Sequence, residues 1–213
     1  MDVAGCRDRD HAPDVPRRAL TGNRRSVAEE QEQEFEQLLA TMKKAAGILR
    51  EADVPVVLGG GLACWARGAP KTEHDVDFLV RPADAERARQ ALADAGLRTE
   101  KPPEGWLLKA YDDGVLIDLI FDPQGGPIDD ATFERADDME VHATRIRVAS
   151  LEDVLVAKLL ALNEQQPDFS SVLELARSLR EQVDWDDVRA RTEDSPFAKA
   201  YFTMLDELAI VQK

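Results

Sequence analysis

Asp75 and Asp77 stand two residues apart at the head of the run Asp75-Val76-Asp77-Phe78-Leu79-Val80, and Asp118 stands alone in Val115-Leu116-Ile117-Asp118-Leu119-Ile120-Phe121. On an extended strand successive side chains point to opposite faces, so Asp75 and Asp77 share one side while Val76 and Phe78 take the other. In a chain with 42 acidic residues among 213 such a pair also arises by chance, and its weight comes from context. It opens an apolar strand, where a merely solvated acidic face is out of place. Asp118 is the most informative single residue. All its neighbours are apolar, and burying an unpaired carboxylate costs several kcal/mol, so it must meet a cleft, a cation or hydrogen-bond donors. A structural ion pair with Lys109 or Lys71 across a sheet would satisfy the same requirement.

Gly59-Gly60-Gly61 follows the β-rich run Val54–Leu58 and precedes a stretch of helical composition, Leu62–Arg67. Glycines at a strand-to-helix turn let backbone amides approach a phosphate, and a helix N-terminus favours an anion. A tight turn without a ligand uses the same residues. A dinucleotide fingerprint would need a glycine where Cys64 stands, and a Walker loop needs Gly-Lys-Ser/Thr, which is absent. If Asp75, Asp77 and Asp118 converge, they offer hard oxygen ligands suited to one or two Mg²⁺ ions, with the glycine turn holding nucleotide phosphates. Ions so placed polarise an α-phosphate, stabilise leaving pyrophosphate and acidify an attacking hydroxyl. Lys158 lies among Leu151, Leu155 and Leu162 on an apolar stripe. It either snorkels at the edge of the core or serves a site.

The elements that must position these groups are readable from periodicity. Phe35, Leu38, Leu39, Met42, Ala45, Ala46 and Leu49 recur at helical spacing and predict a helix over 30–52. Strands are expected at 54–58 and 75–80, and a helix at 83–95 ending before Gly96. Runs at 106–111 and 115–121 flank Asp112-Asp113-Gly114, an Asp-Gly hairpin signal, and 145–148 adds a strand. Ser150 with Asp153 resembles a capping box opening a helix, and further helices are expected at 169–181, 185–191 and 196–211.

These motifs, in this order, resemble the nucleotidyltransferase superfamily related in fold to DNA polymerase beta. Its pattern is a hydrophobic strand, Gly-Gly or Gly-Ser opening a short helix, Asp-x-Asp on the next strand and a third Asp on a later one, matched by Gly60-Gly61, Asp75-Val76-Asp77 and Asp118. Residues 54–150 look most like the bacterial branch with abortive-infection and toxin-antitoxin nucleotidyltransferases and antibiotic-modifying enzymes. The resemblance implies a Mg²⁺-dependent transfer of a nucleoside monophosphate from an NTP to an acceptor, RNA or small molecule, with release of pyrophosphate. It implies Asp75, Asp77 and Asp118 as metal-binding and catalytic residues, and Gly60, Gly61, Lys71, Thr72 and Lys158 as nucleotide-binding ones. Relatives often carry a basic residue and threonine just ahead of Asp-x-Asp; here Glu73 and His74 loosen the spacing from Lys71 and Thr72. Gly61 stands where many members have serine, and Pro167-Asp168 and Ser170-Ser171 stand where a Lys-Asp pattern is common. The second reading is a nucleotide-binding or partner-binding protein on the same fold, and a toxin would bring an antitoxin partner.

The expected architecture is α+β: a small mixed β-sheet flanked by helices over 29–148, then a helical subdomain over 149–213, after a disordered arm over 1–28 rich in charge, proline and glycine. With 27 basic against 42 acidic residues the formal charge is −15, which opposes non-specific adhesion to nucleic acid or anionic lipid. Two cysteines and three scattered histidines make a disulfide framework or a zinc site a poor fit. No apolar run approaches a membrane span and no secretory h-region opens the chain, so a cytoplasmic protein is expected.

Overall fold

A computed structural model of the chain describes residues 27–71 and 75–211. The first 26 positions of the expected arm, and Thr72, lie outside the described residues; Val27 and Ala28 already belong to the first helix. That helix, α1 (Val27–Glu51), buries the predicted stripe from Phe35 to Leu49 and ends at Asp53, whose φ of 53° turns the chain away. Strand β1 is only Val57–Leu58, shorter than the expected 54–58. Pro55 has no amide proton for a ladder, and the Val54 amide is used by the Leu49 carbonyl in closing α1.

Then follow α2 (Gly60–Ala66), β2 (Asp75–Leu79), α3 (Pro82–Asp94), β3 (Arg98–Glu100), β4 (Leu107–Asp112), β5 (Val115–Ile120), α4 (Asp130–Arg135), β6 (Asp137–Val141) and β7 (Thr144–Val148). The helical part comprises α5 (Leu151–Ala161), α6 (Ser170–Leu179), a 3₁₀ turn at Arg180–Gln182, α7 (Trp185–Arg191) and α8 (Pro196–Glu207). The seven strands form one mixed sheet in the order β3-β4-β5-β2-β1-β7-β6. β2 runs parallel to β5 and β1 parallel to β7, while the other pairs are antiparallel. The β4–β5 connection is the expected two-residue turn, with Asp113 and Gly114 both at positive φ (48° and 92°).

Three elements carry no clear sequence signal. β3 and β6 are the two edges of the sheet, and their Arg-Thr-Glu and Asp-Asp-Met-Glu-Val sequences reflect charged, solvent-facing strands that resist pairing with another chain. α4 is six residues long and buries only Thr132 and Phe133, too little for a periodic pattern.

Helices α1 and α3 cover one face of the β2–β5–β4 region, against Val76, Phe78, Ala110, Ile117 and Leu119, all fully buried. α1 also grips the hairpin turn: Thr41 Oγ1 donates to Asp112 Oδ2 (3.2 Å), Lys44 pairs with Asp112 Oδ1 (2.5 Å), and Gln37 donates to the Asp113 carbonyl (3.1 Å). A second core joins Leu155, Leu159, Val172, Ala176, Val188, Tyr201, Phe202 and Leu205. α5 spans both cores, with Leu151 and Val154 in the first and Leu155 and Leu159 in the second. Ser150 caps it by accepting the Asp153 amide (3.1 Å).

Asp153 ties the layers together. Its carboxylate, 8% exposed, meets Arg135 of α4 (3.0 Å) and Arg191 of α7 (2.5 Å). Removing it from this seam leaves Arg191 with Asp187 alone (3.0 Å) and takes a partner from half-exposed Arg135, so Asp153→Ala should cost about 1–2 kcal/mol. In urea the unfolding midpoint should fall with an unchanged slope; an unshifted midpoint would show that the seam contributes nothing.

Candidate active site

The site grows from cross-strand register. Asp77 lies opposite Asp118 in the β2–β5 pair, and Asp118 opposite Lys109 in β5–β4. On the other side the Gly59 amide donates to the Asp77 carbonyl (2.8 Å). Directly opposed residues share a face, so Lys109, Asp118 and Asp77 form one row on the face away from α1 and α3, and Asp75 sits on the same face one pleat along. One carboxylate oxygen from each of Asp75, Asp77 and Asp118 lies within 4.8 Å of the other two.

Gly60 seats this cluster from the α2 side. Its φ is 53°, and a Cβ there would fall 1.7 Å from Asp77 Oδ2. Only glycine permits both the conformation and the approach. Gly61 is in the same first turn of α2. The packing of α2 against α5 brings the third turn of α5 near, and Lys158 there is close enough to act electrostatically on Asp77 and on buried Cys64. Lys71 is placed elsewhere: its ammonium pairs with Glu32 of α1 and stands 5.0 Å from the centre of the Phe35 ring.

Burial and like charge make this a costly arrangement. The Asp77 carboxyl is pushed up to about 7, chiefly by desolvation and then by Asp75 and Asp118, with Lys158 and Lys109 pulling the other way. Asp118 is also raised, first by desolvation and partly relieved by Lys109. Its Oδ1 is buried and accepts no hydrogen bond, although Lys109 Nζ stands 3.4 Å away as an ion-pair partner. Three carboxylates with oxygens this close, among them Asp118 with one oxygen that has no hydrogen-bond donor, are the donor set a hard divalent cation takes. Gly59 and Lys109 were not among the site residues expected from sequence. Gly59 carries no side-chain signal, and Lys109 was visible only as one alternative partner for Asp118.

A family model described as uncharacterised nucleotidyltransferase matches residues 4–209, nearly the whole chain. The chain belongs to this family. The nucleotidyltransferase resembles the solved structure of ANT(2")-Ia in complex with adenylyl-2"-tobramycin, at 15% identity and a TM-score of 0.58, over 76% of this chain and 98% of that one. It also resembles the solution structure of antibiotic-resistance factor ANT(2'')-Ia, at 13% identity and a TM-score of 0.56, over 84% and 98%. At such identities the likeness is one of fold. No curated protein matches the sequence. No described helix of the nucleotidyltransferase is long and apolar enough to cross a membrane.

Two outcomes follow from this geometry. Gly60→Ala forces a Cβ into the Asp77 carboxylate at positive φ, so it should lower stability by about 1–3 kcal/mol and disable any reaction that needs Asp77; wild-type melting and activity would show that the turn yields freely. The raised Asp77 means that the metal-free folded state keeps a proton the unfolded chain has lost. Its stabilising contribution is complete below the ordinary aspartate value and is lost as pH rises through about 7. Metal-free Asp77→Asn should therefore melt higher than wild type at pH 8, with the gap shrinking toward pH 5. A gap independent of pH would refute the shift.

Proposed function

We propose that this nucleotidyltransferase moves a nucleoside monophosphate from an NTP to a hydroxyl of a small-molecule acceptor and releases pyrophosphate, using Mg²⁺. The observation that carries this reading is the convergence of Asp75, Asp77 and Asp118 on one face of the sheet, seated by Gly60. Those three carboxylates would hold one or two Mg²⁺ ions, which supply Lewis-acid polarisation of the α-phosphate.

The chain's own groups take the remaining roles. Asp118, the third carboxylate of the cluster, accepts the proton of the acceptor hydroxyl. The acceptor oxygen forms a bond to the α-phosphorus as the bond to the β-bridging oxygen breaks, and pyrophosphate departs with its electron pair. Lys158 offsets triphosphate charge, and the backbone at Gly60 and Gly61 approaches the phosphates at the opening of α2. Lys71 reaches a nucleotide only by leaving Glu32.

A small molecule is favoured over RNA as acceptor for two reasons. The chain carries a net charge of −15, which repels a polyanion, and the matched fold of known structure is that of an enzyme seen with an adenylylated antibiotic. Transfer to RNA would instead support a toxin-like role with an antitoxin partner.

The test is label transfer from each α-labelled NTP, with Mg²⁺, to a panel of hydroxylated metabolites, aminoglycosides and RNA. Asp75→Asn, Asp77→Asn and Asp118→Asn should each reduce transfer by about 10³-fold or more while the proteins remain folded. Lys158→Met should raise the KM for NTP more than it lowers kcat. Wild-type protein that binds NTP but moves no label to any acceptor would replace the transfer reading with nucleotide binding alone.

A further inference from the structure

Lys109 is a cation set into the sheet beside the carboxylate cluster, and its surroundings direct it to Asp118. In register it lies between Glu100 on β3 and Asp118 on β5. Glu100 is engaged elsewhere: its carboxylate accepts the Tyr111 hydroxyl (3.1 Å) and lies 3.9 Å from Arg98, whose guanidinium stacks 3.6 Å from the centre of the Tyr111 ring. The Lys109 side chain is 25% exposed, and its ammonium stands 3.4 Å from Asp118 Oδ1, the buried oxygen that accepts no hydrogen bond. At 3.4 Å the contact is longer than a well-formed hydrogen bond, and charge is its main component.

Three carboxylates this close repel one another strongly in a partly desolvated site, and an ammonium set against the third, with Lys158 acting on Asp77, offsets part of that cost. The same ammonium repels any further cation that approaches. We propose that Lys109 is a place-holding counter-ion: it keeps Asp118 with Asp75 and Asp77 while the site is metal-free, and it weakens divalent-cation binding in the absence of nucleotide. Metal then loads chiefly together with the triphosphate, whose negative charge outweighs the ammonium. Lys109 is a positioning residue that acts through Asp118. The inference rests on reading the cluster as the metal site of the proposed transfer, but it requires no transfer to be observed.

Mn²⁺ binding by purified full-length protein, titrated calorimetrically at pH 8.5 without nucleotide, tests it. Lys109→Met should bind Mn²⁺ at least about tenfold more tightly than wild type, because a repelling unit charge within a few ångströms is gone. Lys109→Arg should bind as wild type does. Metal-free Lys109→Met should also melt lower than wild type, and the same substitution in an Asp118→Asn background should shift melting little, since the charge it balanced is absent. If Lys109→Met fails to fold, Lys109→Gln is compared with Lys109→Arg in the same titration. Equal or weaker Mn²⁺ binding by the neutral variants would overturn the role of Lys109 and leave the metal site standing. No Mn²⁺ binding by any variant, wild type included, would remove the metal site and this proposal with it.

Discussion

Asp77 and Asp118 face each other directly across a parallel strand pair, with Asp75 one pleat away, and like-charge repulsion opposes that placement. The remainder of the fold can be understood as what makes it tolerable. Fully buried Val76, Phe78, Ile117 and Leu119 anchor the opposite face of the same two strands beneath α1 and α3, so the backbone cannot relax by slipping one residue without turning the carboxylates into the core. Lys109 and Lys158 bring positive charge from β4 and α5. The energy gained on one face of the sheet is what holds a destabilised cluster on the other, a common relation between a rigid scaffold and a strained site.

Helix α5 couples this sheet to the helical layer. Leu151 and Val154 complete the sheet's core, Leu155 and Leu159 belong to the second, and Lys158 on the same helix acts electrostatically on Asp77. The Asp153 seam to α4 and α7 fixes how α5 lies, and with it the reach of Lys158. Stability in the helical layer and electrostatics in the site are thus linked through one eleven-residue helix.

Much of this was legible in the residues themselves. Alternation assigned Asp75 and Asp77 to one face, and the apolar neighbours of Asp118 signalled a carboxylate that needed a cation or a cleft. The long helical stripe of α1 and the Asp-Gly hairpin left unambiguous patterns because each is set by local chemistry. β3 and β6 left none, since an edge strand is selected for charge and solvent contact and reads as loop. Sequence could name Lys109 and Lys71 as partners for Asp118 but not choose between them. That choice depends on register between strands and on where α1 crosses, which are long-range facts, and the fold gives Lys109 to Asp118 and Lys71 to Glu32.

Strand β1, two residues long, lies near the middle of the sheet and has β2 on one side and β7 on the other. Its partner Leu79 is close along the chain, whereas Arg147 and Val148 are made some ninety residues after Val57 and Leu58. During synthesis the β7 side of β1 therefore stays open until almost all of the sheet has emerged, and a nascent chain arrested before β7 presents an unpaired apolar edge. The turn that seats Asp77 is thus carried by a strand completed only at the end of the sheet's construction.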